Sequence, residues 1–183
     1  VGDVFTTAVG DDTNTGLTAA SPKRTLTNLI SSYILQPGRT VYVDTGTYPH
    51  AVRLGAADGG SPGLYMTLLG SSNGAIIDPP SGIGLQLDGC QYVRIEGLRI
   101  RDGTEGMEVR WYAKRNFIYR NSFYRNTLNG ISLGVGGSGA YSNVVYRNGC
   151  FSNGQNGING DDEGSDWNII TRNFSYRNGA AGI

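Results

Sequence analysis

The chain has 183 residues, with 15 Lys and Arg against 15 Asp and Glu, 29 glycines, two cysteines and 38% hydrophobic residues. That is one domain's length with enough apolar side chains for a core, and the 16% charged content is too low for a disordered polyelectrolyte. Balanced charge argues against a general nucleic-acid binder, two cysteines cannot build a disulfide scaffold, and no run of about 18 apolar residues exists to form a membrane-spanning helix. The first residues lack the basic and apolar blocks of a signal peptide, so a mature or excised product is expected.

In chain order, Ser21-Pro22 followed by Leu26, Leu29, Ile30, Tyr33 and Ile34 predicts an N-cap, a proline at the first helical position and one amphipathic helix. Extended segments are expected at 40–44, 52–54, 65–69, 75–77, 85–87 and 93–95, where short β-prone runs alternate with turn residues. Beyond these the sequence repeats. The stretches 116–126, 143–153 and 168–178 (NFIYRNSFYRN, NVVYRNGCFSN, NIITRNFSYRN) superimpose without a gap. Their central asparagines, Asn121, Asn148 and Asn173, advance by 27 and 25 residues, and the pairs beginning at Gly106, Gly130, Gly157 and Gly182 advance by 24, 27 and 25.

A period in this range means stacked repeats, and short strands inside each unit exclude helical and leucine-rich arrays. Three strands per turn leaves an all-β right-handed parallel β-helix, a three-sheet solenoid in which equivalent residues stack about 4.8 Å apart. Stacked Asn116, Asn143 and Asn168, then Asn121, Asn148 and Asn173, then Asn126, Asn153 and Asn178, can hydrogen-bond along the stack and satisfy the turns, whose left-handed backbone Asn tolerates. The helix then serves as an N-terminal cap over the open first coil, since exposed edges invite aggregation. No C-terminal cap is evident, so residues 1–183 are expected to be a single β-helix domain cut from a longer solenoid: a lead-in segment and cap at 1–39, less regular coils at 40–105, and Asn-ladder coils at 106–183.

Alternation in the strand after each repeated glycine sends Leu85, Met107, Ile131 and Ile158 inward, with Leu87, Val109, Leu133 and Gly160. Gln86, Glu108, Ser132 and Asn159 then face outward, followed by Asp88, Arg110, Gly134 and Asp161. The loops that come next differ in length and chemistry, which marks their side as the working face. Arg120, Arg147 and Arg172 are read as an outward column of the second sheet, with Arg101, Arg125 and Arg177 in the third, fanning into solvent. Cys90 and Cys150 fall on different sides and should be free thiols. His50 follows a proline turn and receives no role.

The segments at 36–48 (QPGRTVYVDTGTY) and 92–100 (YVRIEGLRI), the Asn-punctuated coils, and the lead-in GDDTNTG at 10–16 with SPKRT at 21–25 resemble secreted bacterial right-handed β-helix proteins of the pectate-lyase-like superfamily. The resemblance covers nearly the whole chain and is specific for the fold; the superfamily holds polysaccharide lyases, pectin hydrolases, uronan epimerases, phage tailspikes and non-catalytic solenoids. It implies an extracellular or cell-surface protein, an Asn ladder between the second and third sheets, and a carbohydrate cleft along the first sheet. Lyases of this kind hold Ca²⁺ with several aspartates and take a Lys or Arg as base.

β-Elimination from a uronic-acid polymer needs a neutralised carboxylate, a base and room for the sugar chain. Asp161, Asp162, Glu163 and Asp166 crowd one loop and offer the hard oxygen ligands that suit Ca²⁺, although their spacing fits no EF-hand. Lys114, the lone lysine within the coils, lies beside Arg110 and Arg115, and crowded cations can lower a lysine pKa, so Lys114 and Arg110 are the candidate catalytic residues. Glu108, Trp111, Tyr112, Arg115 and Trp167 are the candidate substrate contacts, the aromatics being suited to stacking on sugar rings. The expected function is a carbohydrate-active or carbohydrate-binding β-helix for an acidic polysaccharide, in its most specific form a Ca²⁺-assisted lyase. The alternative is a non-catalytic surface solenoid that stacks end to end through its uncapped last coil.

Overall fold

The computed structural model describes residues 3–135, 139–160 and 165–183. After β1 (Val4–Thr6) and helix α1 (Leu26–Ser32) the chain winds through successive coils of three short strands. The first coil is β2 (Thr40–Val43), β3 (Gly46–Tyr48) and β4 (Val52–Leu54), and the second is β5 (Met66–Gly70), β6 (Ala75–Ile77) and β7 (Ile83–Asp88). The third holds β8 (Val93–Glu96), β9 (Leu98–Arg101) and β10 (Glu105–Arg110); the fourth holds β11 (Phe117–Tyr119), β12 (Ser122–Tyr124) and β13 (Ile131–Leu133). The fifth is β14 (Val144–Tyr146), β15 (Gly149–Phe151) and β16 (Ile158–Gly160), after which come β17 (Ile169–Thr171) and β18 (Phe174–Tyr176).

Each strand pairs in parallel with its equivalent one coil away, so three parallel sheets run the length of the solenoid. The first sheet is β4-β7-β10-β13-β16, the second β1-β2-β5-β8-β11-β14-β17 and the third β3-β6-β9-β12-β15-β18. This is the expected right-handed three-sheet β-helix. The register also matches the expected columns: Met107 pairs with Leu85 and Ile131, and Ile131 with Ile158.

The core follows from the alternation. Leu85, Met107, Ile131 and Ile158 from the first sheet meet Ile95, Ile118 and Val145 from the second and Ile100, Phe123 and Cys150 from the third, all buried. A parallel sheet wrapped into a coil has no polar inner face, and truncating one of these side chains, Ile118→Ala for example, is expected to cost about 2–5 kcal/mol. The glycine that recurs at the start of the later first-sheet strands, Gly84, Gly106, Gly130 and Gly157, is a packing requirement. A Cβ on Gly106 would run into the Gly130 carbonyl oxygen and the Phe123 ring, so the backbones of successive coils meet where no side chain fits.

Three corners per coil leave backbone amides without strand partners, and the asparagines supply them. Asn116, Asn121 and Asn126 each accept from a backbone N–H of the preceding coil, Val93, Leu98 and Gly103 respectively. Each in turn donates its own N–H and side-chain amide to the Oδ1 of the next asparagine, as Asn116 does to Asn143 at 3.0 Å for both bonds. All three expected stacks form, so a ladder runs along every corner of the repeat and not only between the second and third sheets.

Two expectations change. The left-handed residue is the one before each asparagine. Arg120, Arg147 and Arg172 have φ of 54°, 55° and 55°, and Arg125, Ser152 and Arg177 match them at the next corner. These arginines therefore occupy corners and not the outward strand columns assigned to them, because the asparagine must stay extended for its amide to reach both neighbours. Helix α1 begins at Leu26 with Thr25 as N-cap, its hydroxyl accepting from Asn28 N–H, and not at Ser21-Pro22. Lys23 is already committed to an extended bridge with Thr6, and Asp12 holds Thr25 through its N–H at 2.8 Å. Leu26 and Leu29 remain the buried face, packed on the start of the solenoid, whereas Ile34 is exposed.

Candidate functional site

The outward face of the first sheet carries charge where the inward face carries leucine and valine. Arg53, Gln86, Glu108, Ser132 and Asn159 form one column by register, and Asp88 and Arg110 pair in the next. These side chains close on one another. Asp88 accepts from Arg53 and, at 2.7 Å, from the Arg110 Nε, while Arg110 lies 3.0 Å from Glu108, which also accepts from Gln86 at 3.3 Å. Asp88 and Glu108 are buried despite pointing away from the core. The hydrogen bond that Arg110 donates to Asp88 is the main reason its guanidinium is held above its ordinary range, so it keeps its proton.

Glu105, at the start of β10, holds a separate set of polar partners on the next coil. It is 8% exposed and accepts from the N–H and amide of Asn129 and from the Ser132 hydroxyl at 2.9 Å. Burial raises its carboxyl above the ordinary range, ahead of the Ser132 and Asn129 bonds that pull the other way. Asn129 then accepts from Asn156 N–H, and Asn156 from Ala181 N–H, so Glu105 ends a fourth polar stack. Sequence reasoning passed over Glu105. The available signal was Asn129, which sits one 24-residue step downstream and faces it.

The expected catalytic and substrate residues divide between the Asp88 network and the loops beside it. Glu108 and Arg110 belong to the network. Both are ion-paired, so neither is an open contact for a substrate, and Arg110 does not have the lowered pKa a base requires. Trp111 and Tyr112 follow β10 in left-handed conformation, φ 53° and 64°, and are 54% and 58% exposed. The Tyr112 N–H donates to the Gly139 carbonyl, and its ring stacks on Tyr141 with centroids 5.9 Å apart. Lys114 is exposed, but its backbone is fixed by parallel bridges to Gln91 and Tyr141, and the Arg115 guanidinium lies over the Tyr92 ring at 5.7 Å. Trp167, two coils further, is 84% exposed at φ 62°. A loop edge tied down through its backbone at Tyr112, Lys114 and Arg115 thus presents aromatics and cations together.

Of the four expected calcium ligands, Asp161, Asp162 and Glu163 lie outside the described residues. Asp166 is exposed, and its carbonyl accepts from Ser142 N–H at 3.0 Å. Among the described residues no group of three or more His, Cys, Asp or Glu could hold a metal ion, and the carboxylates Asp88 and Glu108 are each paired with Arg110. Cys90 and Cys150 are free, as expected, and buried. No helix among the described residues is long and apolar enough to cross a membrane.

A stacked solenoid with an ion-paired first sheet and ornamented loops defines the class. Residues 68–183 match the family model described as a right handed beta helix region, and the chain belongs to that family. No curated protein sequence matches it. Among solved structures it is similar to the pectate lyase Pel9A, with TM-score 0.71 at 17% identity over 98% of this chain and 55% of that one. It is also similar to an alginate lyase from Paenibacillus sp. str. FPU-7, with TM-score 0.64 at 16% identity over 100% of this chain and 58% of that one. A lacto-N-biosidase from Eubacterium ramulus aligns with TM-score 0.59 at 15% identity, over 86% of this chain and 34% of that one. The chain thus spans little more than half the length of the two lyases, and at these identities the likeness is one of fold.

Proposed function

We propose that this β-helix binds an acidic polysaccharide along the loop edge that follows the first sheet. The observation that carries the reading is the exposure of Trp111, Tyr112 and Trp167 in left-handed, backbone-anchored loops that also hold Lys114 and Arg115. Apolar rings held out in water by a rigid backbone suit the faces of sugar rings, and adjacent cations suit their carboxylates. The pectate and alginate lyases with the same fold act on acidic polymers of this class, which supports the choice of ligand. An extracellular or cell-surface setting goes with such a ligand.

The finer version is a lyase in which neutral Lys114 takes the C5 proton beside the substrate carboxylate while the C4–O glycosidic bond breaks, with Tyr112 and Trp111 holding the ring. This leaves a C4=C5 double bond on one product and an oxygen that takes a proton from water on the other. Ultraviolet detection of unsaturated uronide released from polygalacturonate and alginate, with calcium and then with chelator, tests it. Product formation supports the lyase, and a requirement for calcium would direct attention to 161–166. Silence with retained polymer binding reduces the reading to a binding module. The second reading is a non-catalytic solenoid that self-associates. A concentration-dependent mass in light scattering supports it, and a strict monomer counts against it.

A further inference from the structure

The corner between the second and third sheets lies away from the loop edge and carries its own array. Arg120, Arg147 and Arg172 occupy equivalent corner positions in three successive coils, all exposed, all left-handed. Among the described residues none of the three forms an ion pair, in contrast to Arg53, Arg94, Arg101, Arg110 and Arg125, which all do. Fixed corners also fix the stems. Stacked like charges at strand spacing repel one another, so an unpaired column costs stability unless something offsets it.

The aromatic faces of the second sheet offset part of that cost. Tyr119 and Tyr146 stack with centroids 5.6 Å apart, with Arg120 4.8 Å from the Tyr119 centroid and Arg147 5.1 Å from that of Tyr146. Arg172 lies 5.8 Å from Tyr146 and donates to its hydroxyl at 3.1 Å. The guanidinium groups are thereby held at one edge of an open groove of about 650 Å³, bordered by Arg120, Arg147, Arg172, Asn173 and Phe174. A second groove of about 410 Å³ continues it past Arg120 to Arg99, Ser122 and Ser71. Small outward residues, Ser122 and Gly149, leave room on the third-sheet side. Glu96 borders the second groove but is bound to Arg94 at 2.6 Å.

We infer that this corner is a second binding strip, in which Arg120, Arg147 and Arg172 engage successive acidic groups of a linear glycan carrying one negative charge per sugar. The spacing supports a polysaccharide. Parallel coils set the arginines about 4.8 Å apart, close to the advance of one pyranose ring along an extended chain. Each strand of duplex DNA instead carries one phosphate per about 3.4 Å of helix axis and winds around that axis, so its phosphates do not follow a straight row. Arginine suits the task because its planar fork can grip a carboxylate or sulfate while its face stays on a tyrosine ring. The strip goes beyond the proposed loop-edge site and shares with it only the class of ligand.

The test uses the wild-type protein. Arginines are modified with phenylglyoxal, with and without saturating polygalacturonate, and mapped by mass spectrometry; heparin and duplex DNA serve as the sulfated and nucleic-acid arms. Selective protection of Arg120, Arg147 and Arg172, with Arg24 still reactive, is the expected result. Equal modification in the presence of bound polymer overturns the strip while leaving the loop edge intact. Protection that Tyr112→Asn does not weaken supports the strip alone and removes the loop edge. Protection by duplex DNA but not by the glycans overturns the choice of ligand, and no binding to any polyanion overturns both sites. Arg147→Asn, which suits a left-handed corner, should lower affinity for the protecting polymer about tenfold, one charge-assisted contact's worth. Unchanged affinity with unchanged circular dichroism contradicts the strip.

Discussion

Asn148 Oδ1 accepts from both the backbone N–H and the side-chain amide of Asn121, at 3.0 and 3.1 Å. The Asn148 amide in turn donates to the Ile118 carbonyl at 2.9 Å and to Asn173 Oδ1 at 3.1 Å. One side chain therefore satisfies three coils. It is buried, so water cannot substitute for any of these bonds. Asn148→Ala should lower stability by about 3 kcal/mol or more, because buried donors and acceptors are orphaned together. Chemical denaturation measures this, and a loss below about 1 kcal/mol would show that the ladder is ornamental.

Glu105 gives a pH dependence whose sign follows from burial. Its folded carboxyl sits above the ordinary value of 4.5, so the folded chain holds the proton more tightly than the unfolded one. The linked stabilisation is complete below the ordinary value and is lost as pH rises through the raised one. Glu105→Gln removes this titration. The stability of Glu105→Gln relative to wild type should therefore increase between pH 4.5 and pH 8, measured by urea denaturation across that range. A difference that stays flat or falls contradicts the burial argument.

Burial pushes the Cys90 and Cys150 thiols up to about 12. Neither forms thiolate at neutral pH in the folded chain, and both lie in the core. Iodoacetamide at pH 8 should leave the native protein unmodified and label both cysteines in denaturant. Labelling of Cys150 alone in the native state would mean that the third sheet opens locally at β15.

For Lys114, the lyase version of the proposed function expects Lys114→Ala and Asp162→Ala each to abolish uronide release while far-ultraviolet circular dichroism stays unchanged. Lys114 is exposed and anchored by its backbone, so side-chain truncation there should change stability by no more than about 0.5 kcal/mol. Full activity in both variants would exclude the proposed base and the 161–166 loop.

The repeat columns carried most of the fold, because a parallel solenoid converts a sequence step into a spatial neighbour. The pairing of Met107 with Ile131 could be read directly from Gly106 and Gly130, 24 residues apart. What recurrence does not report is dihedral angle. Arg120 recurs in step with Tyr119, and only the structure separates a corner residue at φ 54° from a strand residue beside it. The first coil was harder still: Val52 pairs with Leu85 across an irregular 33-residue step, which no repeat count reveals. The helix start was misplaced because Lys23 answers to Thr6, a partner far back in sequence. In the candidate site, exposed Trp111, Tyr112 and Trp167 were legible as loop aromatics. Glu108 and Arg110 were legible as outward but not as ion-paired with each other, nor was the pairing of Arg110 with Asp88 a coil away.

The account rests on the loop edge binding an acidic glycan, and the most direct measurement is a titration of the protein with polygalacturonate and alginate, read by Trp fluorescence at low and high salt. The account predicts saturable binding to at least one polymer that weakens with salt and falls about tenfold in Tyr112→Asn, as loss of an aromatic platform of this kind implies. Absence of binding to both polymers at low salt, or binding that Tyr112→Asn leaves unchanged, would contradict it.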